Sequence, residues 1–177
     1  MRLSTDTDRD DARGVAVIHA ALDAGATLLD TADAYCLDDR DVGHNERLVA
    51  TALSTWPGDR ARITVATKGG MRRPKGAWAP DGRAKHLREA CEGSRRALGV
   101  DTIDLYQLHV VDPKTPLETS MRALARLQEE GRIGALHDWF YTTTGNGTPV
   151  ATSVKFGQEI ADELKEAGVE AVVLSGT

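Results

Sequence analysis

The sequence predicts an α/β chain made of right-handed parallel β/α units. Two observations carry this. Amphipathic segments of about 10–15 residues alternate with short apolar runs, the pattern of parallel strands joined by crossover helices. Several of those segments also close on a glycine, the residue that most readily takes the left-handed turn past a helix end. With 177 residues, 41% hydrophobic and 28% charged, the chain suits one substantial core and falls short of two full-sized domains.

The elements follow in order. RGVAVIHAALDAG, from Arg13, has helical apolar spacing and ends at Gly25, and ATLLDTA after it reads as a short buried strand. HNERLVATALSTW is a second helix and ITVATKGG a second strand. AKHLREACEGSRRALGV is a third helix closed by Gly99, and IDLYQLHV a third strand. LETSMRALARLQEEG is a fourth helix, with Leu117, Met121, Leu124 and Leu127 along one face. The basic run MRRPKG, Met71 to Gly76, is marked by its Pro and Gly as a solvated loop, with phosphate binding as the alternative. His44 and His86, on helices, read as surface residues.

After Leu136 the composition changes. IGALHDWFYTT reads as one strand, VKFGQEIADELKEAG as an amphipathic helix ending at Gly168, and EAVVLS as a strand of the buried parallel type. The intervening TTTGNGT is either a turn, with Gly and Asn supplying positive φ, or a backbone nest for an anion. His137 and Asp138, beside Trp139 and Phe140, read as half-buried strand residues.

The bulk numbers exclude some partners. A net charge of −5 offers no global basic field, so neither nucleic acid nor an anionic membrane is expected as a partner. No run reaches the roughly 18 apolar residues of a membrane span, and MRLSTDTDRDD lacks the apolar core of a signal peptide. Cys36 and Cys91 show neither metal-ligand spacing nor a disulfide framework. A reducing, cytoplasmic location is therefore expected.

The chemistry sits where the strands end. LLDTADAY puts Asp30 at the end of the first strand and Tyr35 five residues on, TVATKGG puts Lys68 at the end of the second, and DLYQLHVVD puts His109 at the end of the third. In parallel β/α folds those ends converge on one rim. A tyrosine hydroxyl is by itself a weak acid, with a reference pKa of about 10. A neighbouring ammonium stabilises the tyrosinate, an Asp can hold that ammonium, and a His can orient a carbonyl oxygen beside the Tyr. Singly, each residue has a plainer reading: a helix cap, a rim packing residue, a solvated charge, a structural imidazole.

Together, LLDTADAY, GHNERLVATAL, ITVATKGG and SRRALGVDTIDLYQLHVVD resemble the first half of an aldo-keto reductase, over about residues 1–134. The resemblance implies a (β/α)8 (TIM) barrel and NADPH-dependent reduction of a small carbonyl substrate. Tyr35 would be the general acid, Lys68 and Asp30 its tuning pair, and His109 the residue that orients the carbonyl. Asp30 would also lie beside the nicotinamide ribose, as the one cofactor contact that carries over. A barrel of this type takes about 250 residues, so the matching part supplies about four β/α units. The first barrel strand and the later half, which makes most of the cofactor site, have no recognisable counterpart. The expectation is thus an incomplete barrel, its activity impaired by the missing cofactor-binding half, with exposed edges that favour self-association.

Residues 131–177, with the FYTTTGNGT core, resemble a different family: the selenoprotein subunit of glycine, sarcosine or betaine reductase component B. In that family the strand resembling AVVLSGT runs into a selenocysteine, which implies a UGA codon after Thr177. The expected organisation is a partial reductase barrel over 1–132 followed by a short foreign β-α-β segment over 133–177. The alternatives to a carbonyl reductase are a non-catalytic truncated or chimeric α/β fragment, or a selenoprotein fragment stopped at UGA.

Overall fold

The computed structural model describes residues 3–134 and 150–166. The chain divides into two compact units, Met1–Leu136 and His137–Thr177. In the first, helices α1 (Asp11–Asp23), α2 (His44–Thr55), α3 (Ala84–Leu98) and α4 (Leu117–Glu129) alternate with strands β1 (Leu28–Asp30), β2 (Thr64–Gly69) and β5 (Leu105–Leu108). A short hairpin, β3 (Met71–Arg72) with β4 (Ala79–Pro80), follows β2. β1, β2 and β5 form one parallel sheet in that order, with Asp30 and Leu105 both opposite Ala66, and Gln107 opposite Lys68. The predicted parallel β/α units are therefore present.

Local chemistry sets the helix ends. The Asp10 side chain accepts from the Arg13 N–H at 3.0 Å, so α1 starts two residues before the apolar periodicity does. At its other end Gly25 has φ 97°. The Gly25 N–H then reaches the Leu22 carbonyl, and the Ala26 N–H the Ala21 carbonyl, each at 3.0 Å. Gly131, at φ 66°, closes α4 in the same way. The strands are shorter than their apolar runs. Ahead of β5, for example, the Asp104 carboxylate rather than a backbone carbonyl accepts the Val65 N–H, at 2.9 Å. An isolated parallel bridge, Ile103 to Ile133, marks the next pairing.

Two apolar clusters anchor the helices to the sheet. Ile18 and Leu22 of α1 pack with Leu48, Val49, Ala52 and Leu53 of α2 and with Val65. Gly14 permits the close approach, since a Cβ there would lie 2.8 Å from Leu48 Cδ2. Cys91, Ile103, Tyr106, Leu124, Leu127 and Ile133 form the second cluster, with Met121 at its edge. Successive strand residues face opposite ways. Thr67 and Tyr106, paired in register, share one face with Thr67 reaching Glu46 of α2, and Lys68 and Gln107 share the other.

Two sequence readings are corrected here. MRRPKG is not simply a solvated loop: its first residues form the hairpin with β4, and Arg73 is only 6% exposed. His44 is buried rather than at the surface, because the start of α2 faces Ser4; its Nδ1 lies 2.9 Å from Ser4 Oγ. His86 is half-buried, and burial lowers its pKa.

The second unit contains α5 (Val150–Glu166), which starts directly after Pro149, four residues before the predicted helix. The Lys155–Glu159 pair, 3.6 Å apart, lies on its surface. TTTGNGT, His137, Asp138 and the EAVVLS strand lie outside the described residues, as does IGALHDWFYTT beyond Gly134. Among the described residues no helix is long and apolar enough to cross a membrane.

Candidate active site

The C-terminal ends of the parallel strands bring Asp30, Tyr35, Lys68 and His109 together. Asp30 ends β1, Lys68 is the penultimate residue of β2, and His109 directly follows β5. Tyr35 arrives on a tight turn in which its N–H donates to the Ala32 carbonyl at 3.2 Å. Ala32 and Ala34, both buried, let that turn sit close on the strand ends.

Lys68 is 3% exposed and its ammonium has three partners. Nζ donates to Asp30 Oδ2 at 2.5 Å, to the Thr31 carbonyl at 2.9 Å and to Tyr35 Oη at 3.1 Å. An ammonium has three N–H donors, so its position is fully specified. The turn is also braced from behind: Thr31 Oγ1 donates to Asn45 Oδ1, and Asn45 Nδ2 to Ser4 Oγ, both at 2.8 Å.

The His109 ring stands perpendicular to that of Tyr35, with centroids 5.5 Å apart. Its Nδ1 is buried without a partner among the described residues. Burial, and next the Lys68 ammonium, lower its pKa from 6.5 to about 4. His109 is therefore neutral at physiological pH. Its ring proton resonances, assigned against a His109→Gln variant by NMR, should not titrate between about pH 5.5 and 9; a midpoint near the ordinary histidine value of about 6.5 would contradict this environment.

Two further residues at the site were not singled out from the sequence. Trp78, half exposed on the hairpin, lies 6.5 Å from Tyr35 and 6.2 Å from His109 between ring centroids. The Arg73 guanidinium stacks on Trp78 at 3.7 Å. The available signal was an aromatic residue in a basic Pro/Gly turn following the strand that carries Lys68.

Behind the rim, on the helix side of the sheet, lies a buried acidic pair. Glu46 is fully buried and accepts from Thr67 Oγ1 at 2.6 Å, with the Ser94 hydroxyl also beside its carboxylate. Asp33, 4% exposed, has an Oδ1 without a partner among the described residues. Burial, and next the charge of Glu46, raise the Asp33 pKa to about 8; burial raises that of Glu46 too. Gly69 is required beside them, because a Cβ there would lie 2.0 Å from Tyr106 Oη. Among the described residues no cluster of His, Cys, Asp or Glu is placed to hold a metal.

The Asp30 side chain keeps 28% of its surface exposed while bonded to Lys68. An exposed carboxylate on the rim fits a ribose hydroxyl donor.

Comparison with known proteins agrees with the geometry. Over 76% of its length the chain is similar to the glycerol dehydrogenase of Gluconobacter oxydans, with 39% identity and a TM-score of 0.64, covering 40% of that chain. Over 74% of its length it is similar to the holo form of an aldo-keto reductase of Bacillus halodurans, with 35% identity and a TM-score of 0.60, covering 41% of that chain. It thus spans about two fifths of the length of these relatives, and its sheet and helices form part of a (β/α) barrel of their type. The match to the family itself covers residues 1–166, past the composition change near residue 133 and through α5. A match of that extent, on a sheet whose strand ends assemble Asp30, Lys68 and His109 around Tyr35, places the chain in the aldo/keto reductase family.

Proposed function

We propose that the chain carries the proton-donating part of a carbonyl reductase site. Tyr35 gives its proton to the oxygen of an aldehyde or ketone, and NADPH, when bound, supplies hydride to the carbonyl carbon. One observation carries this reading: the Lys68 ammonium is held by Asp30 and the Thr31 carbonyl while donating to Tyr35 Oη at 3.1 Å. As the proton leaves Oη, the phenolate forms against a fixed positive charge. Asp30 keeps that charge in place and offers its exposed edge to the nicotinamide ribose. His109, held neutral, donates an N–H to the substrate oxygen beside Tyr35 and orients it. The family generally uses NAD(P)H; the phosphorylated form is the one proposed for this chain.

The test is a titration with NADPH followed by nicotinamide fluorescence, with glyceraldehyde as the first substrate because the Gluconobacter relative is a glycerol dehydrogenase. Saturable binding with NADPH oxidation is expected, both weaker than in a complete barrel because the later half makes most of the cofactor site. No binding up to millimolar levels would leave the four residues without a reaction and favour a non-catalytic fragment. Sedimentation of the same samples addresses self-association, since the outer edge of β1 has no strand partner among the described residues.

We also infer that the chain joins two pieces near residue 133, a partial reductase barrel over 1–132 and a segment of different origin over 133–177. The division into compact units at Leu136 and His137 supports this. The family match through residue 166 counts against it. Aligning residues 131–177 with complete members of both families would decide between them.

A further inference from the structure

We infer that Arg73 is a positioning residue: it pins Trp78 beside Tyr35 and His109 and ties the β3–β4 hairpin to the loop that carries Tyr35. Its consequence for turnover rests on the function proposed above; its consequence for Trp78 does not.

The starting point is an oddity of charge. Arg73 is buried, makes no ion pair among the described residues, and leaves Nε and Nη1 without hydrogen-bond partners. A buried cation in that condition is costly and persists only where its surroundings compensate. Two contacts do so here. The guanidinium lies 3.7 Å from the centroid of Trp78, whose π-face attracts a cation. Nη2 donates to the Leu37 carbonyl at 3.2 Å, two residues past Tyr35. One planar group therefore touches the hairpin on one side and the Tyr35 loop on the other.

The turn between Arg73 and Trp78 is shaped to bring them face to face. Lys75 and Gly76 have φ of 50° and 84°. The Gly76 N–H returns to the Arg73 carbonyl at 3.1 Å, and the Ala77 N–H to the Pro74 carbonyl at 3.0 Å. Trp78 is 50% exposed, so without a partner on one face its ring would be free to change rotamer. Stacked, it stands edge-on to both Tyr35 and His109 and forms a wall where a carbonyl substrate would meet them. Lysine could keep the charge but not the planar stack with a simultaneous in-plane hydrogen bond.

The experiment uses the full chain with Trp56→Phe and Trp139→Phe, leaving Trp78 as the only tryptophan and exciting it selectively at the red edge where tyrosine does not absorb, and compares Arg73 with Arg73→Met and Arg73→Lys at a temperature where all three are folded. Arg73→Met should raise acrylamide quenching about twofold and add fast nanosecond depolarisation, with Arg73→Lys in between. Unchanged quenching and anisotropy in both variants would overturn the inference. With a carbonyl substrate, KM should rise about tenfold in Arg73→Met while kcat stays within about twofold, because the wall is lost and the proton donor is not. A loosened Trp78 with unaltered KM would overturn the role in the pocket. If the parent chain shows no turnover, the function proposed above fails, and the fluorescence alone decides whether Arg73 holds Trp78.

Discussion

Tyr35→Phe should reduce carbonyl turnover by about 10²–10⁴-fold, the range expected for removing a positioned general acid. The substitution removes one oxygen and keeps the ring that packs edge-on against Trp78 and His109. Lys68 would lose one of its three acceptors but retain Asp30 and the Thr31 carbonyl, so the ammonium stays anchored and the rim stays folded. NADPH affinity should therefore remain near that of the parent while kcat falls. An equal fall in affinity and kcat would mean that Tyr35 serves packing rather than proton transfer. Lys68→Met is a less specific probe, because it would also leave the Asp30 carboxylate without its 2.5 Å partner.

The second large effect concerns stability. Asp33→Asn should make the protein markedly more stable at pH 8, with little change at pH 4. The sign follows from proton binding. The folded-state pKa of Asp33 is raised from 3.8 to about 8, so the folded chain holds a proton that the unfolded chain releases. The Asp33 contribution to stability then declines as pH rises from about 4 to about 8 and levels off above that. At about 1.4 kcal/mol per pKa unit, the contribution is at most about 6 kcal/mol, a large share of a typical domain's stability. His109 acts in the opposite sense at lower pH. Its folded pKa of about 4 lies below the ordinary histidine value of 6.5, so its contribution is present above 6.5 and is lost as pH falls toward 4. Urea midpoints of the parent and Asp33→Asn between pH 6.5 and 8 therefore lie above the His109 range and report on the buried Asp33–Glu46 pair, the difference between the two proteins giving the part of Asp33. A parent whose stability rises across that interval, or a variant that tracks it, would show that Asp33 is ionised in the folded protein.

Much of the fold was legible because it depends on neighbours in sequence. Helix ends were readable at Gly25, Gly99 and Gly131, where only a residue without a Cβ takes the left-handed turn easily. The buried stripe of α4 follows directly from the spacing of Leu124 and Leu127. The hairpin after β2 was missed because its two strands are two residues each, too short for any periodicity to register. His44 was misplaced because helical spacing alone does not reveal that Ser4, forty residues earlier, packs against it.

By itself, then, the sequence determined the order of the β/α units, their boundaries to within a few residues, and the delivery of Asp30, Lys68 and His109 to strand ends. Those are properties of local spacing and of parallel-strand topology. Only the tertiary structure decided how the delivered groups act on one another. The three partners of the Lys68 ammonium come from positions 33 to 38 residues away. The neutrality of His109 and the proton on Asp33 depend on burial by elements remote in sequence. The stack of Arg73 on Trp78 depends on a turn in which Lys75 and Gly76 both take positive φ. Charge and protonation are set by distance and by exclusion of water, and both exist only once the chain is packed.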